Sequence, residues 1–224
     1  GRDLILVARR AERLQELKAE LEDAHGIKVH TYTLDVADIG AVERFFADIA
    51  ELSVDVLINN AGLALEKKPI DEYEWGDFAQ MIEVNIKAFT RVAQLAVPKL
   101  RQTHGHIINI SSIAGYEAYE GGSVYCGSKA YVRMLSRALR QDLLESGVRV
   151  TDVAPGAVNT EFSTVRFKGD TTKAEKVYEG FTPLYAEDIA EVIRFALTRP
   201  AHVNIDSLLI TATAQGGATR FVRE

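Results

Sequence analysis

The stretch Val54-Asp55-Val56-Leu57-Ile58-Asn59-Asn60-Ala61-Gly62 decides the fold class, because a short apolar run ends there in a polar turn. A continuous apolar run that is rich in β-branched residues is typical of a strand covered on both faces. The turn places two amide side chains and a glycine directly after the strand. We therefore predict a buried parallel strand with a ligand-binding turn at its carboxyl end.

Working outward, the same arrangement recurs along the chain. Strands are predicted at residues 4–7, 29–34, 54–58, 106–110, 148–153 and 207–210. Apolar residues at helical spacing lie between them, at residues 14–25, 42–49, 77–100, 123–145 and 186–198, while 157–182 is predicted as a loop with short helices. Parallel strands require crossover connections, so this order predicts an α/β fold: a Rossmann-like, doubly wound parallel sheet in one domain, residues 1–224.

Composition excludes several classes of protein. The 224 residues carry 26 Lys and Arg against 32 Asp and Glu, a net charge of −6 without the basic stripe of a nucleic-acid binder. No apolar run approaches the roughly 20 residues of a membrane helix. One cysteine, Cys126, excludes a disulfide framework, and His104 and His106 lack the clustered carboxylates of a metal site. We expect a cytoplasmic protein, because there is no signal peptide and cysteine is scarce.

Polar residues follow five of the predicted strands, which places them on one edge of the sheet. They are Arg9-Arg10, Asp35-Val36, Asn59 to Gly62, Ser111-Ser112 and Pro155-Gly156. The sharpest chemical signal comes next, in Tyr125-Cys-Gly-Ser-Lys129. Residues four apart share a helix face, and a Lys ammonium beside a phenol lowers its pKa toward neutrality. Taken alone, this spacing is common in helices and favours a buried Tyr and a surface Lys that merely share a helix face.

Together, Asn59-Asn60-Ala61-Gly62, Asn85, Ser112, Tyr125, Lys129 and Pro155-Gly156 resemble the short-chain dehydrogenase/reductase family in order and spacing. The resemblance implies that Tyr125 exchanges a proton with the substrate carbonyl and that Ser112 binds the same oxygen. It implies that Lys129 lowers the pKa of Tyr125 and binds the nicotinamide ribose. Asn85 would hold the water of a proton relay.

The end of the first strand predicts the cofactor. An acidic residue there would bind the ribose 2′-hydroxyl of NAD, whereas Arg accommodates the 2′-phosphate of NADP. This chain has Arg9 and Arg10, which indicates NADP unless both are ordinary surface charges at a helix start. By the resemblance, further cofactor contacts come from Asp35, Val36, Asn60, Ala61, Gly62, Tyr125, Lys129, Pro155, Gly156, Val158 and Thr160.

The segment after Pro155-Gly156 predicts the substrate. Thr160-Glu-Phe-Ser163 and Val165-Arg-Phe-Lys-Gly-Asp170 resemble the NADP-dependent 3-hydroxy acid dehydrogenases, as does Gly62-Leu-Ala-Leu65. That subgroup acts on serine, allo-threonine and related 3-hydroxy acids, reduces malonic semialdehyde, and forms homotetramers. The substrate carboxylate needs a cation, for which Arg166 is the first candidate and Lys168 the second. Both lie on this segment after Pro155-Gly156, which we call the lid. They could instead be surface charges of the lid or contact a neighbouring subunit.

One family feature has no counterpart in this sequence. The family begins with a strand and a Gly-rich turn, Thr-Gly-x-x-x-Gly-x-Gly, that binds the pyrophosphate. This chain aligns from the family's second strand onward, so we expect that a first βα unit of roughly 30 residues is missing from the sequence. Its absence would break the strand pairing in the middle of the sheet.

Two other functions remain open. The first is a short-chain reductase of ketones or other carbonyl compounds. The second is a non-catalytic Rossmann-fold binding protein, which Ser112, Tyr125 and Lys129 disfavour.

Overall fold

The computed structural model describes residues 1–224 and has the predicted alternation of strands and helices. The strands are β1 Leu4–Ala8, β2 Val29–Thr33, β3 Val56–Asn59, β4 His106–Ile110, β5 Arg149–Pro155 and β6 Ser207–Ile210. The α-helices are α1 Ala11–His25, α2 Ile39–Asp48, α3 Trp75–Ile82, α4 Phe89–Thr103, α5 Ser123–Asp142, α6 Glu161–Arg166, α7 Thr171–Lys176 and α8 Ala186–Leu197. None of them combines the length and apolar character that a membrane crossing requires. Residues 1–52 and 53–224 form two compact units, described separately below.

The first unit consists of two βα pairs. Strands β1 and β2 are parallel, with Leu4 opposite Val29. Helix α1 ends at Gly26, whose φ of 61° is the left-handed conformation that glycine adopts without strain. Helix α2 begins after Asp38, whose carboxylate accepts the Ala41 N–H over 3.0 Å. These local signals agree with the predicted elements, so the unit is specified largely by its own sequence.

The second unit contains a four-stranded parallel sheet in the order β3-β4-β5-β6. Every residue of β4 is buried, and β5 is buried from Val150 onward, as expected for strands covered on both faces. Helix α5 packs on β4 and β5, and α8 contributes Ala196 to a core with Ile108 and Val153. This rigid centre carries the ends of β3, β4 and β5, where the predicted polar residues lie.

The structure differs from the sequence prediction in two places. The single helix expected over 77–100 contains a π-helical segment, Glu83–Ala88, between α3 and α4, and such segments are frequent at functional sites. The single sheet is divided, because β1 and β3 belong to different sheets. The strands thus form one two-stranded and one four-stranded parallel sheet.

Candidate active site

Ser112, Tyr125 and Lys129 lie together beside the carboxyl ends of β4 and β5. Ser112 follows β4 and is 8% exposed. Its Oγ accepts the Ala114 N–H over 3.1 Å and donates to the Pro155 carbonyl over 3.4 Å. The second bond is long, so a substrate oxygen can replace it at small cost.

Tyr125 and Lys129 lie on consecutive turns of α5, on its buried face. The Lys129 Nζ donates to the Ile110 carbonyl over 2.9 Å and lies 5.9 Å from the centre of the Tyr125 ring. Tyr125 packs against Phe162, with ring centres 5.8 Å apart. The helix and the strand end therefore hold the three groups without help from a ligand.

The electrostatics differ from the sequence prediction. Burial raises the pKa of Tyr125, and this effect is opposed by the Arg166 guanidinium and by a hydrogen bond with Ser112. Burial also lowers the pKa of Lys129 to about 8, against the attraction of Asp152. We predicted that Lys129 would lower the pKa of Tyr125, but in the structure the cation with the largest effect is Arg166. Tyr125 is consequently a neutral phenol, the form that donates a proton.

Asn85 lies within the π-helical segment and is 1% exposed. Its Oδ1 accepts the Leu63 N–H over 2.9 Å, and its Nδ2 donates to the Leu63 carbonyl over 2.7 Å and to the Ser128 Oγ over 3.1 Å. The side chain thus clamps the segment after the Asn-Asn-Ala-Gly turn. Its proposed contact with a relay water stays a prediction.

The Asn59 to Gly62 turn divides into a structural and an accessible part. Asn59 is 3% exposed and donates to the Phe89 carbonyl over 3.0 Å, whereas Asn60 and Ala61 are exposed. A Cβ on Gly62 would lie 3.3 Å from the Lys129 Nζ. Glycine here lets the turn approach Lys129 closely, and this fits a cofactor ribose shared between them.

Arg166 lies over the ring of Tyr125. Its guanidinium carbon is 5.1 Å from the ring centres of both Tyr125 and Phe162. One Nη donates to the Tyr119 hydroxyl over 3.3 Å, while Nε is buried without a hydrogen-bond partner. A buried donor of this kind lacks a partner that an anionic ligand would supply. The structure therefore brings the first predicted acid-binding residue to the site.

Lys168, the second predicted residue, points elsewhere. Its Nζ lies 2.8 Å from the Asp77 carboxylate, whose hydrogen bond raises the pKa of Lys168. Nearly half of the Lys168 side chain is exposed. This ion pair ties the segment after α6 to α3, and a substrate contact of Lys168 stays a prediction without support from the geometry.

The predicted cofactor residues of the lid have local partners. The Thr160 Oγ1 accepts the Phe162 N–H over 3.2 Å and so caps α6. The Val158 carbonyl accepts the Tyr178 hydroxyl over 2.7 Å, and the same hydroxyl contacts the Ser163 Oγ at 2.7 Å. These contacts fix the lid, while the hydroxyl of Thr160 keeps the second lone pair and the proton that a cofactor contact needs.

The first unit carries the remaining predicted cofactor residues. Arg9 forms an exposed ion pair with Asp35, with 3.9 Å between the guanidinium nitrogen and the carboxylate oxygen. The Asp35 carboxylate also accepts the Ala37 N–H over 2.9 Å. Arg10 is the exposed residue that immediately precedes α1. Both guanidinium groups are thus accessible beside the end of β1, where no acidic side chain intervenes before the helix. This charge pattern fits a phosphate.

Known proteins resemble this chain over most of its length. The model of the short chain dehydrogenase family matches residues 1–171. The chain belongs to the short-chain dehydrogenase family. NADP-dependent 3-hydroxy acid dehydrogenase YdfG of Escherichia coli K12 is 45% identical over 222 residues, which cover 97% of this chain and 88% of that protein. Sulfoacetaldehyde reductase 2 of Chromohalobacter salexigens is 44% identical over 219 residues, 96% of this chain and 86% of the relative.

A solved structure extends the likeness to the whole of this short-chain dehydrogenase. The closed form of serine dehydrogenase complexed with NADP⁺ superposes with a TM-score of 0.91 at 42% identity, covering 100% of this chain and 90% of the other. The predicted family and the α/β Rossmann-like fold class are confirmed.

Sequence reasoning missed two residues of this short-chain dehydrogenase. Tyr119 accepts a hydrogen bond from Arg166, and burial raises the pKa of its phenol above the ordinary value of a tyrosine. Gln215 lies against Gly156, although it is 59 residues later in the chain. Neither belongs to a local motif, so only the tertiary structure could reveal them. No group of three or more His, Cys, Asp or Glu side chains is arranged to hold a metal ion.

Proposed function

We propose that this short-chain dehydrogenase is an NADP-dependent oxidoreductase that interconverts a 3-hydroxy acid and its 3-oxo acid. One observation carries the assignment of an acid. The guanidinium carbon of Arg166 lies 5.1 Å from the ring centre of Tyr125, and its Nε–H is buried without a hydrogen-bond partner. A cation therefore lies directly beside the proton donor. The names of the similar proteins support the same reaction class.

The chain's own groups account for the proton transfer. In carbonyl reduction the neutral Tyr125 phenol donates its proton to the oxygen that becomes the hydroxyl, and the Ser112 hydroxyl binds that oxygen. The positive charges of Lys129 and Arg166 stabilise the phenolate that remains. NADPH, when bound, supplies the hydride. In the oxidative direction the same groups act in reverse.

The cofactor is assigned to NADP(H) on the charge at the end of β1. Arg9 and Arg10 would bind the 2′-phosphate, with Asp35 and Val36 on the adenine side. Asn60, Ala61 and Gly62 would line the ribose region, with Lys129 on the nicotinamide ribose. Pro155, Gly156, Val158 and Thr160 would border the nicotinamide and diphosphate.

The acid group of the substrate is assigned to Arg166. A guanidinium binds a carboxylate through two parallel N–H···O bonds, and the buried position strengthens them. The Tyr119 hydroxyl already accepts a hydrogen bond from one Nη of Arg166, so its own proton is directed away from Arg166. The hydroxyl thus adds an uncharged hydrogen-bond donor beside the guanidinium. A 3-oxo acid spans the two positions, with its carbonyl at Tyr125 and Ser112 and its carboxylate at Arg166.

A second candidate substrate is sulfoacetaldehyde, because a relative of 44% identity is named as a sulfoacetaldehyde reductase. Sulfonate is also an oxyanion that the Arg166 guanidinium can bind. We expect malonic semialdehyde to be preferred, since two parallel N–H···O bonds match the planar carboxylate. Simple ketones lack an anion and would leave Arg166 unpaired.

The experiment follows NADPH oxidation with malonic semialdehyde, sulfoacetaldehyde and an uncharged aldehyde of equal length. Arg166→Gln should lower kcat on all three substrates, because the charge that stabilises the Tyr125 phenolate is lost, and should raise KM at least tenfold for the two acid substrates only. Arg194→Gln, which changes an exposed arginine of α8, is the matched control. An equal change in KM for all three substrates would contradict the acid-binding role. Activity with the uncharged aldehyde alone would favour the general carbonyl reductase.

We also propose a homotetramer. Met134 is 61% exposed. It lies beside a groove between α4 and α5 that supports this assembly, lined by Ala93, Val97, Leu135, Leu139 and Leu143 together with the polar Thr90, Gln94, Arg101 and Asp142. Exposed apolar surface of this kind is typical of subunit contacts. Light scattering after size-exclusion chromatography tests the assembly: a monomer would contradict it, and Leu135→Glu should dissociate it.

A further inference from the structure

The turn Pro155-Gly156-Ala157 lies at the end of β5, beside the catalytic serine. The Ser112 hydroxyl donates to the Pro155 carbonyl, and the Gly156 N–H donates to the Ile210 carbonyl over 2.7 Å. The third residue of the turn, Ala157, lies beyond β5, and its carbonyl accepts the Leu184 N–H over 3.0 Å. Its own N–H donates to a different part of the chain.

That acceptor is Gln215, in the segment that follows β6. Gln215 is 6% exposed. Its Oε1 accepts the Ala157 N–H over 2.9 Å, and its Nε2 donates to the Gly217 carbonyl over 3.0 Å. Both ends of the amide are engaged, so it cannot rotate without leaving buried polar groups unpaired, a change that is costly.

Gly156 is shaped to this glutamine. A Cβ on Gly156 would lie 2.2 Å from the Gln215 Oε1 and 2.9 Å from its Cδ. The backbone of Gly156 is not among those with positive φ, so no unusual conformation calls for glycine there. Glycine is needed because Gln215 packs directly on the turn. The two residues form a matched pair, although they lie far apart in sequence.

Gln215 is itself held in place by its own segment. The Val222 N–H donates to the Ala214 carbonyl over 2.8 Å, and the Gly216 N–H donates to the Arg220 carbonyl over 2.9 Å. The Glu117 carboxylate accepts the Ala218 N–H over 2.9 Å. These hydrogen bonds fix the segment that carries Gln215. The bond from the Ala157 N–H to Gln215 therefore restrains the turn.

We propose that Gln215 is a positioning residue of the active site. Its amide fixes the Pro155-Gly156-Ala157 turn against Ser112. The same turn borders the nicotinamide in the proposed cofactor site. The inference rests on the proposed function for the identity of the cofactor and the substrate. It predicts that loss of the amide weakens cofactor binding and turnover without unfolding the protein.

The first test substitutes Gln215→Met, which keeps the length of the side chain and removes both hydrogen bonds. We expect the Ala157 amide to exchange with deuterium faster, KM for NADPH to rise about tenfold, and kcat to fall. Gln215→Glu keeps the acceptor for Ala157 and should restore part of the amide protection. Gln102→Met, at an exposed glutamine of α4, is the matched control.

The second test is a double-mutant cycle with Gly156→Ala. The added methyl group displaces the Gln215 amide, so this single variant should show the same rise in KM for NADPH. In Gly156→Ala/Gln215→Ala the methyl group has room, and the double variant should lose no more than the worse single variant. Coupling of this kind is expected only of residues in contact.

Two results would overturn the inference. One is a Gln215→Met variant with native Ala157 protection and native KM and kcat. The other is a double variant whose losses are the product of the single losses. Fluorescence titration of the unchanged protein with NADPH separates the two proposals. If the unchanged protein does not bind NADPH, the proposed function fails; the exchange of Ala157 still decides whether Gln215 holds the turn.

Discussion

Replacing Lys129 with Met should abolish catalysis and yet stabilise the fold. Lys129 is 4% exposed, and burial lowers its pKa from 10.5 to about 8. At about 1.4 kcal/mol per pKa unit, keeping this ammonium charged at pH 7 costs the folded state about 3 kcal/mol. Met removes that cost but also removes the hydrogen bond to the Ile110 carbonyl, worth about 1–2 kcal/mol with its acceptor left unpaired. The net expectation is about 1–2 kcal/mol of added stability.

The pH dependence gives the sign of this effect. The folded pKa lies below the unfolded pKa, so the cost is complete below about pH 8 and disappears as pH rises toward 10.5. The advantage of Lys129→Met should therefore be largest at pH 7 and shrink by pH 9.5.

Calorimetry at pH 7 and pH 9.5 measures this difference. For a chain of this length, the gain corresponds to a rise in Tm of about 2–8 °C at pH 7. Lys87→Met, at an exposed lysine paired with Glu83, is the control and should change stability by less than about 0.5 kcal/mol. A lower Tm for Lys129→Met at pH 7, or turnover comparable to that of the unchanged protein, would refute the reasoning.

Three further predictions follow from the structure. Burial lowers the pKa of His106 to about 4, below its value in the unfolded chain. The free energy of unfolding should therefore fall by about 3 kcal/mol as pH drops from 6.5 toward 4, because only the unfolded chain binds the proton in that range. Urea titrations of His106→Gln should lack that decline. The paired variant Arg9→Ser/Arg10→Ser should raise KM for NADPH at least tenfold and leave KM for NADH unchanged, and equal changes in both would speak against a phosphate contact. Asn85→Ala should lower kcat and the melting temperature together, because the clamp on Leu63 is lost; full activity would exclude a positioning role.

The sequence predicted the scaffold of the site because its signals are local. The apolar run before Asn59 and the helical spacing of Tyr125 and Lys129 each lie within one element. Strands β4 and β6 have the predicted bounds. The π-helical segment around Asn85 was not predicted, since a one-residue widening of a helix leaves the apolar spacing nearly unchanged.

The pKa shifts of the site and the partners that hold its charged side chains could not be predicted, because they depend on contacts between residues distant in sequence. Lys129 was expected to lower the pKa of Tyr125, but burial raises it, and the guanidinium of Arg166 provides the main opposition. The sequence ranked Arg166 first and Lys168 second as carboxylate-binding residues, and the structure separates them further by pairing Lys168 with Asp77. The Gly-rich βα unit stays a prediction.

The most direct test of the central claim is the rate of NADPH oxidation with malonic semialdehyde, measured for the unchanged protein and for Tyr125→Phe. The account predicts turnover by the unchanged protein and a loss of roughly 10²–10⁴-fold in the variant, with NADPH binding preserved. Phe keeps the ring that packs against Phe162 and removes only the hydroxyl. A Tyr125→Phe variant that reduces malonic semialdehyde at the original rate would contradict the account.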